Sequence, residues 1–314
     1  MQPIPKHTRI VELTRTAVLA AAIVLISSHA LAQAQAPSKP AAATAVATPA
    51  VAPEVARGEY LMKAGGCLGC HTAEKKDAVP FAGGRALKTP FGTFYGPNIT
   101  PHPTAGIGGW TEAQFVRAMR HGERPDGANY FPAFPYPSFT KIKDADLRDL
   151  WAYLRSLPPS TQASQAHELK FPFGFRFPVT VWKWLFFTPG VFADNAQASA
   201  VVNRGAYLVQ ALGHCGECHT PRNFMGGPNK DRFLAGGKGP EGKNVANLTP
   251  TGLKKWNNKD LQEFLLSGLA PDGDVTAEAM GEVVTNTTSK LTPPDLAALI
   301  AYLRTLAPLP NEAK

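Results

Sequence analysis

Cys67-Leu-Gly-Cys-His71 recurs as Cys215-Gly-Glu-Cys-His219, and the two stretches hold all four cysteines of the 314-residue chain. The likeness spreads outward from them. RGEYLMKAGGCLGCHT (57–72) matches RGAYLVQALGHCGECHT (204–220), with one extra residue in the second copy. FAGGR (81–85) matches LAGGK (234–238), and NITP (98–101) matches NLTP (247–250). GGWTEAQFVRAMRHG (108–122) aligns with KKWNNKDLQEFLLSG (254–268) on Trp110 and Trp256, and DADLRDLWAYLRSLPP (144–159) aligns with PPDLAALIAYLRTLAP (293–308). The order is kept and the outer matches lie 147 to 149 residues apart, so the chain contains one unit twice.

C-x-x-C-H is the attachment pattern of c-type haem. Two cysteines three apart on a helical turn can add to the two vinyl groups of one porphyrin, and the following histidine then lies under the iron. Cys67, Cys70 and His71 form one such set, and Cys215, Cys218 and His219 the other. Zinc ligation, a redox disulfide or two structural disulfides also use paired cysteines. None of them requires histidine directly after the second cysteine in both copies. Two covalent haems are therefore expected.

The distal sides differ. Met280 follows His219 on a stretch read as a loop before the last helix, where a thioether ligand would raise the potential of the second haem. The corresponding place in the first copy is Phe134, which cannot ligate iron. Met62, Met119, His102, His121, Tyr130, Tyr136 and Lys141 are the other candidates, each with a structural reading beside it, and the sixth ligand of the first haem stays open, as does an empty position. Gly83-Gly84 and Gly236-Gly237 would let backbone approach a haem edge. Arg85, Lys238, Trp110 and Trp256 are candidates for its propionates, with surface charge or core packing as the alternative. The N-x-T triplets at 98, 247 and 286 carry no weight.

Each unit reads as three helices joined by long loops: about 55–65, 111–121 and 144–156 in the first copy, and 202–212, 257–267 and 293–306 in the second. Thr111 and Asn257 are candidate N-caps. Leu147, Leu150, Tyr153 and Leu154 share one helical face, as do Leu296, Leu299, Ile300 and Leu303. No segment alternates with strand period over a useful length. The fold class expected is all-α, two tandem three-helix units with long loops. Loops this long in a small helical unit imply that something other than side chains fills the core.

Residues 1–32 read as an export signal: Lys6, Arg9 and Arg15, a short apolar run from Thr16 to Ile26, then Ala30-Leu31-Ala32. Retention as an N-terminal anchor is the minority reading. Residues 33–53 are an Ala/Pro-rich tether. The expected domains are 54–160 and 201–310, with a connector at 161–200. The formal charge is +8, and the signal carries three basic and one acidic residue, so its removal would leave +6. The basic residues are scattered, which argues against a nucleic-acid partner. In the connector, 168–192 (ELKFPFGFRFPVTVWKWLFFTPGVF) is dense in aromatics. It is a candidate for docking a catalytic subunit or a membrane surface, but the favoured reading packs it between the two units.

With these motifs assembled, the chain resembles the cytochrome c subunits of bacterial membrane-associated dehydrogenases. The resemblance rests on the duplicated C-x-x-C-H units, NITP…GIGGW…RHG, PAFPYPSFTK and GHCGECHTPRN, and covers about 55–308. It implies two tandem class I cytochrome c domains, all-α, with long loops around covalently bound haems, forming a periplasmic electron carrier at the inner-membrane surface with no catalytic activity of its own. Its partners would be a catalytic dehydrogenase subunit and a downstream electron acceptor of the respiratory chain. Many members have three haems and a C-terminal anchor where this chain has two motifs, and some read PAMPY where Phe134 stands. The competing expectation is a haem enzyme, a peroxidase or sulfur-compound oxidase, working at an open or unusually ligated first haem.

Overall fold

The computed structural model describes residues 51–239 and 242–311. The export signal and nearly all of the Ala/Pro-rich tether lie outside the described residues. Helix α1 (Pro53–Ala64) leads into the short α2 (Cys67–His71), and α3 (Glu112–His121), α4 (Tyr136–Phe139) and α5 (Asp144–Ser156) complete the first unit. After α6 (Phe177–Phe186) in the connector, the second unit runs α7 (Ala200–Tyr207), α8 (Gly216–His219), α9 (Asn258–Ser267), α10 (Glu278–Asn286) and α11 (Pro293–Thr305).

The middle helices start where their caps dictate. Thr111 Oγ1 accepts the Gln114 N–H while Gln114 Oε1 accepts the Thr111 N–H, and Asn257 and Asp260 form the same reciprocal box ahead of α9. Both helices stop at a left-handed glycine, Gly122 and Gly268. The apolar stripes of α5 and α11 go inward: Leu147, Leu150 and Leu154 are buried, as are Leu296, Leu299, Ile300 and Leu303. Against these stripes α1 packs on α5 and α7 on α11, so closely that glycine stands at each crossing. A Cβ on Gly58 would lie 2.0 Å from the Asp149 carbonyl oxygen, and one on Gly205 would lie 1.9 Å from that of Ala298.

The extra residue of the second copy is absorbed locally. Where α1 is regular to Ala64, α7 continues as a π-helical turn, Leu208–Leu212, which takes up one residue without displacing the cysteines that follow.

The all-α expectation describes the frame and misses the loops. Strands β1 (Ala86–Thr89) and β2 (Gly92–Tyr95) form an antiparallel hairpin, Ala86 opposite Tyr95, and β3 (Glu168–Leu169) adds to β2. In the second unit β4 (Gly237–Lys238) pairs with β5 (Asn244–Val245). These strands are two to four residues long, too short for period-2 patterning to register.

One core runs through both units, joined by a reciprocal pair of hydrogen bonds. Tyr60 Oη donates to Asp295 Oδ2 at 2.5 Å and accepts the Thr292 N–H. Tyr207 Oη donates to Asp146 Oδ2 at 2.5 Å and accepts the Lys143 N–H. The partners are equivalent positions of the repeat, so the units face each other about a pseudo-two-fold axis.

The connector does only part of what the sequence suggests. Val179 and Trp182 face inward, Trp182 Nε1 donates to the Met225 carbonyl, and Lys183 Nζ donates to the His121 carbonyl. Its other face is uncovered: Phe171, Phe175, Phe177, Val181, Trp184 and Leu185 are exposed. A helix whose only polar side chains are Thr180 and Lys183 has almost no face to turn to water, which favours burial; here the neighbouring loops cover one side only, the side that takes up those two groups.

Candidate haem-binding sites

Each C-x-x-C-H stretch sits on a single helical turn, entered from the preceding helix through glycine. Gly66 has φ 63°, and a Cβ there would meet Thr287 Oγ1 of the second unit at 2.8 Å. The two histidines are held alike. His71 Nδ1 lies 2.8 Å from the Pro97 carbonyl oxygen and His219 Nδ1 lies 2.7 Å from that of Ala246. A carbonyl can only accept, so Nδ1 carries the proton and Nε2 keeps its lone pair free for a metal. Burial lowers the pKa of both rings and keeps them neutral.

A second clamp fixes the backbone. The Gly83 N–H donates to the His71 carbonyl and the Gly236 N–H to that of His219, both at 2.8 Å. Gly83 and Gly236 have φ 81° and 78°, and a Cβ on either would strike the backbone at Asn98 or Asn247. Their glycine requirement thus comes from this close passage of chain. The next layer involves residues to which the sequence pattern alone gave no weight. Asn98 and Asn247, in two of the N-x-T triplets, are buried; each side-chain oxygen accepts the N–H and hydroxyl of the threonine two residues on. Asn98 Nδ2 donates to the Ser160 and Gln162 carbonyls, and Asn247 Nδ2 to that of Leu309. These knots tie the segment after the last helix of each unit to the loop that carries the histidine's acceptor. Their recurrence in both copies was the signal.

No disulfide joins the four cysteines. Burial pushes Cys67 and Cys215 up to about 12 and raises Cys70, although the Arg85 charge acts on Cys70 in the opposite sense. All four are partly buried, as is His71. Nearby, Arg85 is paired with Glu74 and, at 2.7 Å, with Glu282 of the second unit, while its Nε is buried without a partner; Arg232 Nε is likewise unpartnered. Lys238 is exposed, and Trp110 and Trp256 pack half-buried against the core. Paired cysteines, a metal-ready imidazole and an unspent guanidinium N–H suit an acidic, iron-centred macrocycle. A zinc site finds no such support: among the described residues no group of three or more His, Cys, Asp or Glu could hold an ion.

Distal positions are less alike. Met280 is on α10 rather than on a loop, half-buried against the core that both Cys67 and Cys215 border, and α10 itself packs on α2. Phe134 sits in a cage of Tyr130, Tyr136 and Phe139, with ring centroids 5.3, 6.4 and 5.7 Å away. Met62 and Met119 are core residues. His102 Nδ1 accepts the Ala105 N–H at 3.0 Å, a loop staple, and His121 is exposed at the end of α3. Lys141 Nζ donates to Gln210. Burial pushes Tyr130 up to about 12 and raises Tyr136 also, which opposes phenolate formation.

The cytochrome c sequence profile matches the chain twice, over residues 55–158 and 202–307. The chain belongs to the cytochrome c family. A diheme cytochrome c-type protein of Cereibacter sphaeroides is 45% identical over 255 residues, covering 80% of this chain and 85% of its own length. The gluconate 2-dehydrogenase cytochrome c subunit of Pantoea cypripedii is 38% identical over 80% of this chain, and the fructose dehydrogenase cytochrome subunit of Gluconobacter japonicus is 38% identical over 82%. The chain spans 59% and 54% of the lengths of these last two. As a cytochrome c with two such domains, the chain is a haem-binding protein whose relatives include cytochrome subunits of dehydrogenases.

Proposed function

We propose that this cytochrome c is a two-haem electron carrier of the periplasm, taking electrons from a partner dehydrogenase and delivering them towards the respiratory chain. The observation that carries the reading is the duplicated Cys-x-x-Cys-His turn whose histidine has Nδ1 committed to a backbone carbonyl. A bound haem supplies the one-electron iron couple. Cys67 and Cys70, and Cys215 and Cys218, hold the two groups covalently; His71 and His219 offer Nε2 as proximal ligands. Met280 would supply the thioether ligand of the second site. The Pro97 and Ala246 carbonyls orient the rings and increase their basicity. Arg85, whose Nε–H is unpartnered, would be available to a propionate. Mass spectrometry and a pyridine haemochrome assay should find two covalent haems per chain; one or none refutes the reading.

A haem enzyme working at the first site is the second reading, and Phe134 supports it, because no thioether stands there. The cage around Phe134 is aromatic, with phenols held protonated, and offers no general base. This favours the carrier. Carbon monoxide titration separates the two: rapid binding to half of the reduced haem marks an open first site, and no binding marks two six-coordinate centres.

A further inference from the structure

The outer face of the connector has no role in either haem site. Phe177, Val181, Trp184 and Leu185 recur at helical spacing along α6 and form one stripe, with Phe177 79% and Trp184 82% exposed. The turn before α6 adds Phe171 and Phe175, 87% and 61% exposed. The loop after the second C-x-x-C-H adds Phe224, 92% exposed. That loop is tied to the stripe: Trp182 donates to the Met225 carbonyl, Phe186 closes over Gly227, and Phe91 lies against both Gly226 and Phe173. Five aromatic side chains exposed to this degree present roughly 800 Å² of apolar surface. The largest apolar patch on an ordinary monomer is about 300–600 Å².

Two features identify what covers it. First, the segment's polar groups are spent inward. Arg176 donates to the Asn129 carbonyl, Lys183 to the His121 carbonyl and Asn129, Trp182 to Met225, and Lys170 to the Pro90 carbonyl. The exposed stripe therefore asks for almost no hydrogen bonds. Protein interfaces carry about one per 100–200 Å²; hydrocarbon offers none. Second, between Leu169 and Ala193 the charges are Lys170, Arg176 and Lys183, with no acidic residue. Glu168 flanks the segment and Glu123 lies 3.8 Å from Lys183, which leaves the cationic excess in place. No helix among the described residues is long and apolar enough to cross a membrane.

We infer that α6, the 171–175 turn and Phe224 form a lipid-facing surface that seats the protein on an anionic bilayer, with the aromatic rings at the headgroup–acyl boundary and the net positive charge beneath them drawn to the headgroups through space rather than by direct contact. This goes beyond the haem reading and does not depend on it. The surface lies beside the second C-x-x-C-H loop and on the first unit at once, so seating would fix the orientation of both haem sites to the membrane.

The test uses the full-length haem-loaded chain and sedimentation with vesicles of phosphatidylcholine, alone or with an equal part of phosphatidylglycerol, read by Soret absorbance. Wild type should pellet with the anionic vesicles. The F177A/W184A double variant, with unchanged haem content and thermal transition, should lose at least tenfold in partition coefficient; V275A, an exposed valine elsewhere, should not. If the helix variant does not fold, F171S/F224S removes side chains from turns alone and should give the same loss. The apolar run near the N-terminus is common to all variants and cancels. Wild type that stays in the supernatant, or variants that pellet like wild type, would overturn the inference. Variants that keep vesicle binding but accept electrons more slowly from a partner dehydrogenase would assign the face to a protein instead, which also overturns it.

Discussion

Replacing Gly58 by alanine sets two effects of opposite sign against each other. Inside α1, alanine is favoured over glycine by about 1 kcal/mol of helix propensity. Packing opposes this. The added Cβ would lie 2.0 Å from the Asp149 carbonyl oxygen and 2.7 Å from Tyr153 Cβ, both on α5. Relief requires the two helices to part by roughly 1 Å, because the obstacle is backbone and cannot rotate aside. Parting also stretches the paired hydrogen bonds of Arg57 to Asp149, now 2.7 and 2.9 Å. Overpacking of this kind costs about 1–3 kcal/mol, and backbone contact puts this site at the upper end. The net expectation is a loss of about 2 kcal/mol, or roughly 4–8 °C in Tm for a domain of this size. Gly205, 1.9 Å from the Ala298 carbonyl in the same test, should behave alike. Thermal unfolding of G58A, G205A and the double variant, followed by far-UV circular dichroism, measures both. A G58A protein as stable as wild type, or more so, would show that propensity outweighs the crossing and refute the argument.

Replacing Met280 by alanine should lower the potential of one of the two haems and open it to carbon monoxide, leaving the other unchanged in a spectroelectrochemical titration. Glu282→Gln removes the Arg85 partner that anchors α10 across the pseudo-two-fold interface; the methionine-ligated fraction, read from the optical charge-transfer band of ferric haem, should fall while total haem content holds. Tyr60→Phe and Tyr207→Phe each delete one arm of the reciprocal interface and should cost about 1 kcal/mol apiece in urea unfolding. Burial alone would raise the pKa of Asp295, but hydrogen bonds from Arg204 and Tyr60 and the Arg204 charge outweigh it and hold the carboxyl below its ordinary value. Its contribution is therefore present above the ordinary carboxylate range and lost as the pH falls through the lowered value. Asp295→Asn should flatten the acid limb of a Tm-against-pH profile.

The six long helices of the two units were legible because their signals are local: an apolar stripe, a capping residue, a terminal glycine. Thr111 and Asn257 could be read as caps since each bonds a residue three positions away. The C-x-x-C-H turns were legible for the same reason. Met280 was placed on a loop because Glu278 opens α10 with φ 54°, a start that no capping residue announces. The short strands escaped notice because two to four residues carry no periodicity. The connector misled because composition reports that a segment is apolar, while only its neighbours decide which face is covered.

By itself, then, the sequence determined the duplication, the helical frame and the two Cys-x-x-Cys-His turns, all of which rest on local patterns of residue types. The tertiary structure decided the rest. It selected the Nδ1–H tautomer of His71 and His219 through carbonyls 26 and 27 residues away. It crossed the two units through Tyr60 and Asp295, 235 residues apart. It left the stripe of Phe177, Val181, Trp184 and Leu185 facing outward. These depend on which surfaces meet after the chain has closed on itself, and no local pattern of residue types encodes that.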